Sequence, residues 1–207
     1  MRKQIKVVCF SILWVISSLL AVSGCAIKDT DNKNEVQYEE RDTTYTDEYL
    51  TEQVPEGKPE PVEPQDRVIG KTAYTCILSV TCETILDNMD KLDPEKIELL
   101  PEDGVIFPAQ EVVFYEGEAV FDVLIREMKN SKIHMEFEDT PIYNSAYIEG
   151  INNLYEFDCG ELSGWMYKVN GWFPNYGCSR YALEDGDCIE WVYTCDLGRD
   201  VGSEGLK

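Results

Sequence analysis

Residues 164–194 read GWMYKVNGWFPNYGCSRYALEDGDCIEWVYT, and two alternating runs inside them decide the fold. In WMYKVN (165–170), Trp165, Tyr167 and Val169 share one face and Met166, Lys168 and Asn170 the other, because successive side chains of a strand point to opposite sides. In CIEWVYT (188–194), Ile189, Trp191 and Tyr193 oppose Cys188, Glu190, Val192 and Thr194. The lysine and the glutamate mark the wetter faces, so periodicity places Trp165, Tyr167, Trp191 and Tyr193 in the core. Asn170-Gly171 and Asp185-Gly186 are turn signals. Between the runs lies GWFPNYG (171–177), where Pro174 and the glycines forbid a regular strand.

The flanking sequence supplies the other layers. YTCILSVTC (74–82) alternates, with Cys76, Leu78, Val80 and Cys82 on one face. Asp93-Pro94-Glu95 reads as a helix N-cap, a first-turn proline and a first-turn acid, and that short helix stops before Pro101. A strand is expected near 111–115. EAVFDVLIREMKNSK then sets Val120, Phe121, Leu124, Ile125 and Met128 on one helical face, with Asn130 as the expected left-handed cap. KIHMEFE (132–138) and AYIEGI (146–151) read as strands, separated by a turn at Pro141. A strand, a hairpin, one main helix and further strands describe an α+β domain of β-grasp type, with the helix packed across a mixed sheet.

The N-terminus places the domain. MRKQIK carries three basic residues and VVCFSILWVISSLLAV (7–22) none, the pattern of an export signal. Val22-Ser23-Gly24-Cys25 resembles the lipobox of bacterial lipoproteins. That resemblance implies a signal peptide over 1–24 and a diacylglyceryl, palmitate-type anchor on Cys25, at the extracytoplasmic face of a cell membrane. Formal net charge is −22, and loss of the +3 signal leaves about −25, which argues against binding nucleic acid or anionic lipid. From Ala26 to Arg67 there are thirteen acidic and five basic residues, four prolines and no apolar periodicity. Residues 25–67 are therefore expected to be a disordered tether, spanning on the order of 35–60 Å. The domain proper is 68–207.

That domain holds six cysteines: Cys76, Cys82, Cys159, Cys178, Cys188 and Cys195. An even number in an exported chain predicts disulfide staples. Cys76 and Cys82 lie on one strand, about 20 Å apart at ~3.3 Å per residue, beyond the roughly 4.4–6.8 Å between α-carbons that a disulfide spans. They cannot pair with each other, and neither can Cys188 with Cys195. The remaining connectivity is open. There is no CxxC pair and His134 is the single histidine, so no zinc site is expected.

Trp172, Phe173 and Tyr176 follow the Asn170-Gly171 turn, on a loop that is expected at the surface. They read as a recognition platform. The other reading is a loop folded over its own apolar cluster and pinned by Cys178.

The run GWMYKVNG, then YGCSRYALEDGDCIEWVYT, with EGEAVFDVL and AYIEGINN upstream, resembles the transcobalamin-like C-terminal domain of bacterial surface lipoproteins, over about 74–197. The resemblance implies a β-grasp sheet whose last hairpin covers one face of cobalamin. It implies ligand-binding roles for Trp165, Tyr167, Asn170, Gly171, Trp172, Gly177 and Tyr181. The chain departs from the vitamin carriers of that family in its cysteines, and it leaves no room for the large helical domain that closes their ligand site. A single face would bind more weakly or need a partner such as a transporter.

The expectation is a non-enzymatic lipoprotein that captures a small flat ligand, with a corrinoid as candidate and no cofactor required. The alternative is a protein-interaction or adhesion module on a tether. His134 reads as structural, no nucleophile motif occurs, and Asp185-Gly186-Asp187 reads as a hairpin turn because it lacks the twelve-residue pattern of a calcium loop.

Overall fold

The computed structural model describes residues 47–50 and 52–203. The signal, Cys25 and the tether as far as residue 46 lie outside the described residues. The main sheet is built from β1 (Ala73–Thr81), β2 (Val105–Tyr115), β6 (Gly164–Val169) and β7 (Cys188–Thr194) in the order β2-β1-β7-β6. β1 pairs antiparallel with β2 and parallel with β7, while β6 and β7 pair antiparallel. First and last strands running side by side at the centre, with a helix in the connection between them, define a β-grasp arrangement within the α+β class. A smaller sheet, β3 (Met135–Thr140), β4 (Ser145–Ile151) and β5 (Leu154–Tyr155), is antiparallel throughout.

The alternation read from the sequence is the alternation of burial. Cys76, Leu78, Val80 and Cys82 are buried, as are Trp165, Tyr167, Val169, Ile189, Trp191 and Tyr193. They meet α2 (Val120–Ser131), whose Val120, Val123, Leu124 and Met128 are buried in the same cluster. Phe121 and Ile125, expected on that face, are only half-buried; the 3.6-residue period carries the centre of the apolar stripe through Val123 instead. Asp122 accepts the Ala119 amide at 2.8 Å and also pairs with Arg67.

Three other expectations are corrected. The helix ends on a left-handed Lys132, φ 59°, and not on Asn130, because the chain is still helical at Ser131. The Asp93 turn is a 3-10 segment, Pro94–Leu99, with the Asp93 carboxylate accepting the Glu95 amide at 2.9 Å. β2 begins six residues earlier than expected and runs through Pro108, which an edge strand tolerates since one side of its backbone faces no neighbour. A short helix α1 (Glu83–Leu86), not foreseen, follows β1 directly.

The largest correction concerns the tether. Residues 52–67 and 47–50 lie along the domain as a strap. Leu50 and Val54 pack against the core cluster, and the Val62 amide donates to the Arg180 carbonyl at 2.9 Å. Composition pointed to disorder because it counts charge and apolar content. An extended, proline-containing segment needs no periodic apolar face, loses less entropy on ordering than a flexible one, and here finds a cationic partner in the domain. The six cysteines carry free thiols in this structure, five of them buried and Cys188 half-buried.

Candidate functional site

The site grows out of the Asn170-Gly171 turn. Both residues are left-handed, φ 51° and 76°, as a two-residue reversal requires. The turn folds Trp172 back onto Val169, with Val169 N donating to Trp172 O at 2.8 Å and Trp172 N to Val169 O at 3.0 Å. Asn170 is fully engaged in holding this shape. Its Oδ1 accepts the Cys188 amide at 2.9 Å and its Nδ2 donates to Asp187 at 2.7 Å. Asp187 also caps the Glu184 amide at 2.9 Å, and the Asp185 carboxylate accepts the Thr75 amide at 3.0 Å. The Asp-Gly-Asp segment is thus a turn tied to β1.

Aromatics stack inward from Trp172. Its ring lies 5.9 Å from that of Tyr176 and 6.4 Å from that of Tyr181, while Tyr176 and Tyr181 stack at 6.1 Å. Tyr167 continues the group behind them, near Tyr181 and Trp191, and its hydroxyl donates to the Tyr176 carbonyl at 2.7 Å. Burial holds the phenols of Tyr167, Tyr176 and Tyr181 above their ordinary range, with neighbouring phenols and carboxylates adding to the effect. These rings therefore act as neutral stacking surfaces and hydrogen-bond donors.

The three loop aromatics are not the solvent-facing platform expected of them. Tyr176 is 7 % exposed, and Trp172 and Phe173 are half-buried. The loop folds over its own cluster and the strap covers it. Tyr176 Oη donates to the Pro59 carbonyl at 2.6 Å and Asn175 Nδ2 to the Glu52 carbonyl at 2.9 Å. Lys58 Nζ sits 5.3 Å from the Trp172 ring centroid, in cation–π range. What remains open is a hollow of about 200 Å³ beside Trp172, bounded by residues 57–59 of the strap, Tyr181, Glu184 and Asp187. A second hollow of about 220 Å³ is lined by strap and near-strap residues, mostly acidic; only Tyr49 offers it a ring, so it lacks the stacking surface of the first.

Trp165 and Tyr167, given binding roles by the resemblance, are core residues. Trp165 Nε1 donates to the Leu154 carbonyl at 2.8 Å and its ring meets Tyr193 edge-on. Gly177 serves close packing against Ser145. Trp172, Tyr181 and Asn170 do converge at the hollow, with Gly171 in the turn between Asn170 and Trp172 and Phe173 and Tyr176 in the adjoining loop. His134, 3.4 Å from Glu136, immediately precedes β3 of the smaller sheet. Cys178 is buried with its thiol pushed up to about 12 by desolvation, and it reaches the Ala146 carbonyl, 3.5 Å away.

Arg180 was missed. It sits in the 3-10 turn Cys178–Arg180, 0 % exposed, and pairs with two strap carboxylates, Asp47 and Glu63, the latter at 2.6 Å. Tyr49 lies over its guanidinium at 5.1 Å. Its Nε and Nη1 have no hydrogen-bond partner among the described residues. One sequence signal was available: a basic residue inside an apolar, cysteine-flanked turn of a strongly acidic chain needs a carboxylate, and acids fill the preceding segment.

Residues 117–195 match the model of a family described as a domain of unknown function, DUF4430. No curated protein matches the chain. Among solved structures, the chain is similar to haptocorrin in complex with Cbi, at 16 % identity and a TM-score of 0.44, over 61 % of this chain and 26 % of that one. It is also similar to a candidate metal-binding protein from Ruminococcus gnavus, at 14 % identity and a TM-score of 0.35, over 58 % of this chain and 96 % of that one. The chain thus spans about a quarter of the haptocorrin it resembles.

Proposed function

We propose that the protein is a non-enzymatic capture module, held at the extracytoplasmic face of a cell membrane by a lipid on Cys25, whose Trp172 hollow receives the edge of a small flat ligand. A corrinoid is the candidate, for capture or hand-over to a transporter. The observation that carries this reading is Trp172 itself, an indole left half-buried at the lip of a hollow with Tyr181 beside it and Lys58 near its face. The corrinoid class rests on the motif resemblance over about 74–197.

The hollow is smaller than the roughly 300–1,000 Å³ of most small-molecule sites. A corrinoid therefore engages only by displacing residues 57–59, and the strap acts as a competing cover. Burying a few hundred Å² at about 25 cal/mol per Å² offers several kcal/mol before ordering costs, which supports micromolar affinity. Calorimetric titration of the full chain with cobinamide tests it. A saturable heat that weakens at least tenfold in Trp172→Ala is expected; no heat at high micromolar concentration overturns it.

A second reading, a protein-interaction module, is favoured by the β3–β4 turn, where Ile142 and Tyr143 stand exposed side by side. A captured surface protein that survives excess corrinoid and is lost in Ile142→Ser/Tyr143→Ser would select this reading.

A further inference from the structure

Cys159 and Cys195 come from distant parts of the chain and are brought together by two rigid anchors. Cys159 lies in the β5–β6 connection, a loop closed by Phe157 N donating to Ser163 O at 3.1 Å and by Cys159 N donating to Ser163 Oγ at 3.1 Å. The Tyr193 hydroxyl, donating to the same Ser163 Oγ at 3.0 Å, fixes that loop to the end of β7. Cys195 follows β7 immediately, with its amide held by Asp200 at 2.7 Å, and Leu197 N donates back to Leu162 O at 2.9 Å.

Both sulfurs lie against the stretch that runs from α1 to Asn88. Cys159 Sγ lies 3.5 Å from the Asn88 carbonyl oxygen and Cys195 Sγ 3.8 Å from Thr84 Oγ1. Thr84 and Asn88 are themselves joined, Asn88 Nδ2 donating to Thr84 O at 2.9 Å, so the sulfurs rest on adjacent points of one turn. Each thiol is among the groups that set the other's protonation. Cys178 Sγ lies 3.5 Å from the Ala146 carbonyl oxygen, away from the Thr84–Asn88 turn.

We propose that Cys159 and Cys195 are the site of one disulfide in the exported protein, tying the β5–β6 loop to the end of the central parallel strand. The oxidant is a disulfide of a thiol–disulfide oxidoreductase or of an oxidised small thiol. One cysteine thiolate attacks a donor sulfur and releases the first donor thiol. The second thiolate then displaces the other donor thiol from the mixed disulfide, so the two cysteines lose two electrons and two protons and the donor gains them. Burial pushes the Cys195 thiol up to about 12 and raises that of Cys159 as well, so neither is reactive once packed. The bond therefore forms during folding, before the loop closes over α1.

The test uses the full chain, exported and purified without reductant, then denatured, alkylated and digested. Mass spectrometry is expected to find the peptides of Cys159 and Cys195 joined and lacking their two thiol hydrogens. Cys159→Ser should leave Cys195 alkylated, and the reverse, with Tm lowered by about 5–15 °C in either variant. Alkylation of both residues in the wild type, or a bond from either to another cysteine, overturns the assignment whether or not the variants fold.

Discussion

Tyr176 and Pro59 are joined by a 2.6 Å hydrogen bond, from the phenol hydroxyl of the aromatic loop to the carbonyl of the strap. Since Tyr176 stacks on Tyr181 and meets Trp172, that bond connects the strap to the whole ring cluster. Tyr176→Phe keeps the stack and removes only the donor. A loss of about 0.5–1.5 kcal/mol is expected, seen as a lower urea midpoint at unchanged slope, with faster amide exchange at Val62.

Arg180 carries the electrostatic half of the same attachment. Arg180→Met retains much of the side-chain volume but leaves Asp47 and Glu63 without their cation. Those carboxylates are 12 % and 23 % exposed, so they turn toward water at modest cost. The expected destabilisation is about 1–3 kcal/mol, below the 3–5 of a fully buried broken pair. Limited proteolysis should cut the strap first.

Gly177 tests the packing of the loop on the small sheet. A Cβ there would stand 2.1 Å from Ser145 Oγ and 2.2 Å from Ser145 Cβ, and Ser145 Oγ already accepts the Ser179 amide at 3.1 Å. Gly177→Ala should cost about 1–3 kcal/mol. Ser145→Gly removes both clashing atoms, so the double variant should be more stable than the sum of two independent losses predicts, as measured by chemical denaturation.

Alkali should unfold the domain. Tyr167, Tyr176, Tyr181 and Tyr193 have phenols raised above the ordinary 10.0 by burial, and the reduced thiols of Cys76, Cys82 and Cys178 are pushed from 9.0 up to about 12. The fold favours the protonated form of each group. Its contribution is therefore complete below the unfolded value and lost as pH rises toward the folded one. Stability should hold to about pH 9 and fall steadily above it, with tyrosinate absorbance appearing together with loss of the native signal.

Much of this architecture was legible because its strands are half-buried and alternate cleanly. Cys76, Leu78, Val80 and Cys82 in β1, and the paired faces of β6 and β7, follow from period alone. The β-grasp order followed once one helix stood between the first hairpin and the last. The strap was not legible, because its attachment depends on isolated contacts at Leu50, Val54, Pro59 and Glu63 and not on a repeating face. The same fact explains the loop. Trp172, Phe173 and Tyr176 read as exposed because a local sequence does not disclose a cover that comes from more than a hundred residues upstream.

The central claim is that the Trp172 hollow is a ligand site from which the strap must lift. Its most direct test is parallel calorimetric titration of the full chain and of Asp47→Asn/Glu63→Gln with cobinamide. Weakening the Arg180 attachment by about 1.4 kcal/mol should tighten binding about tenfold, with Trp172→Ala abolishing the gain. Equal affinity in the two proteins, or no saturable heat in either, would contradict the account.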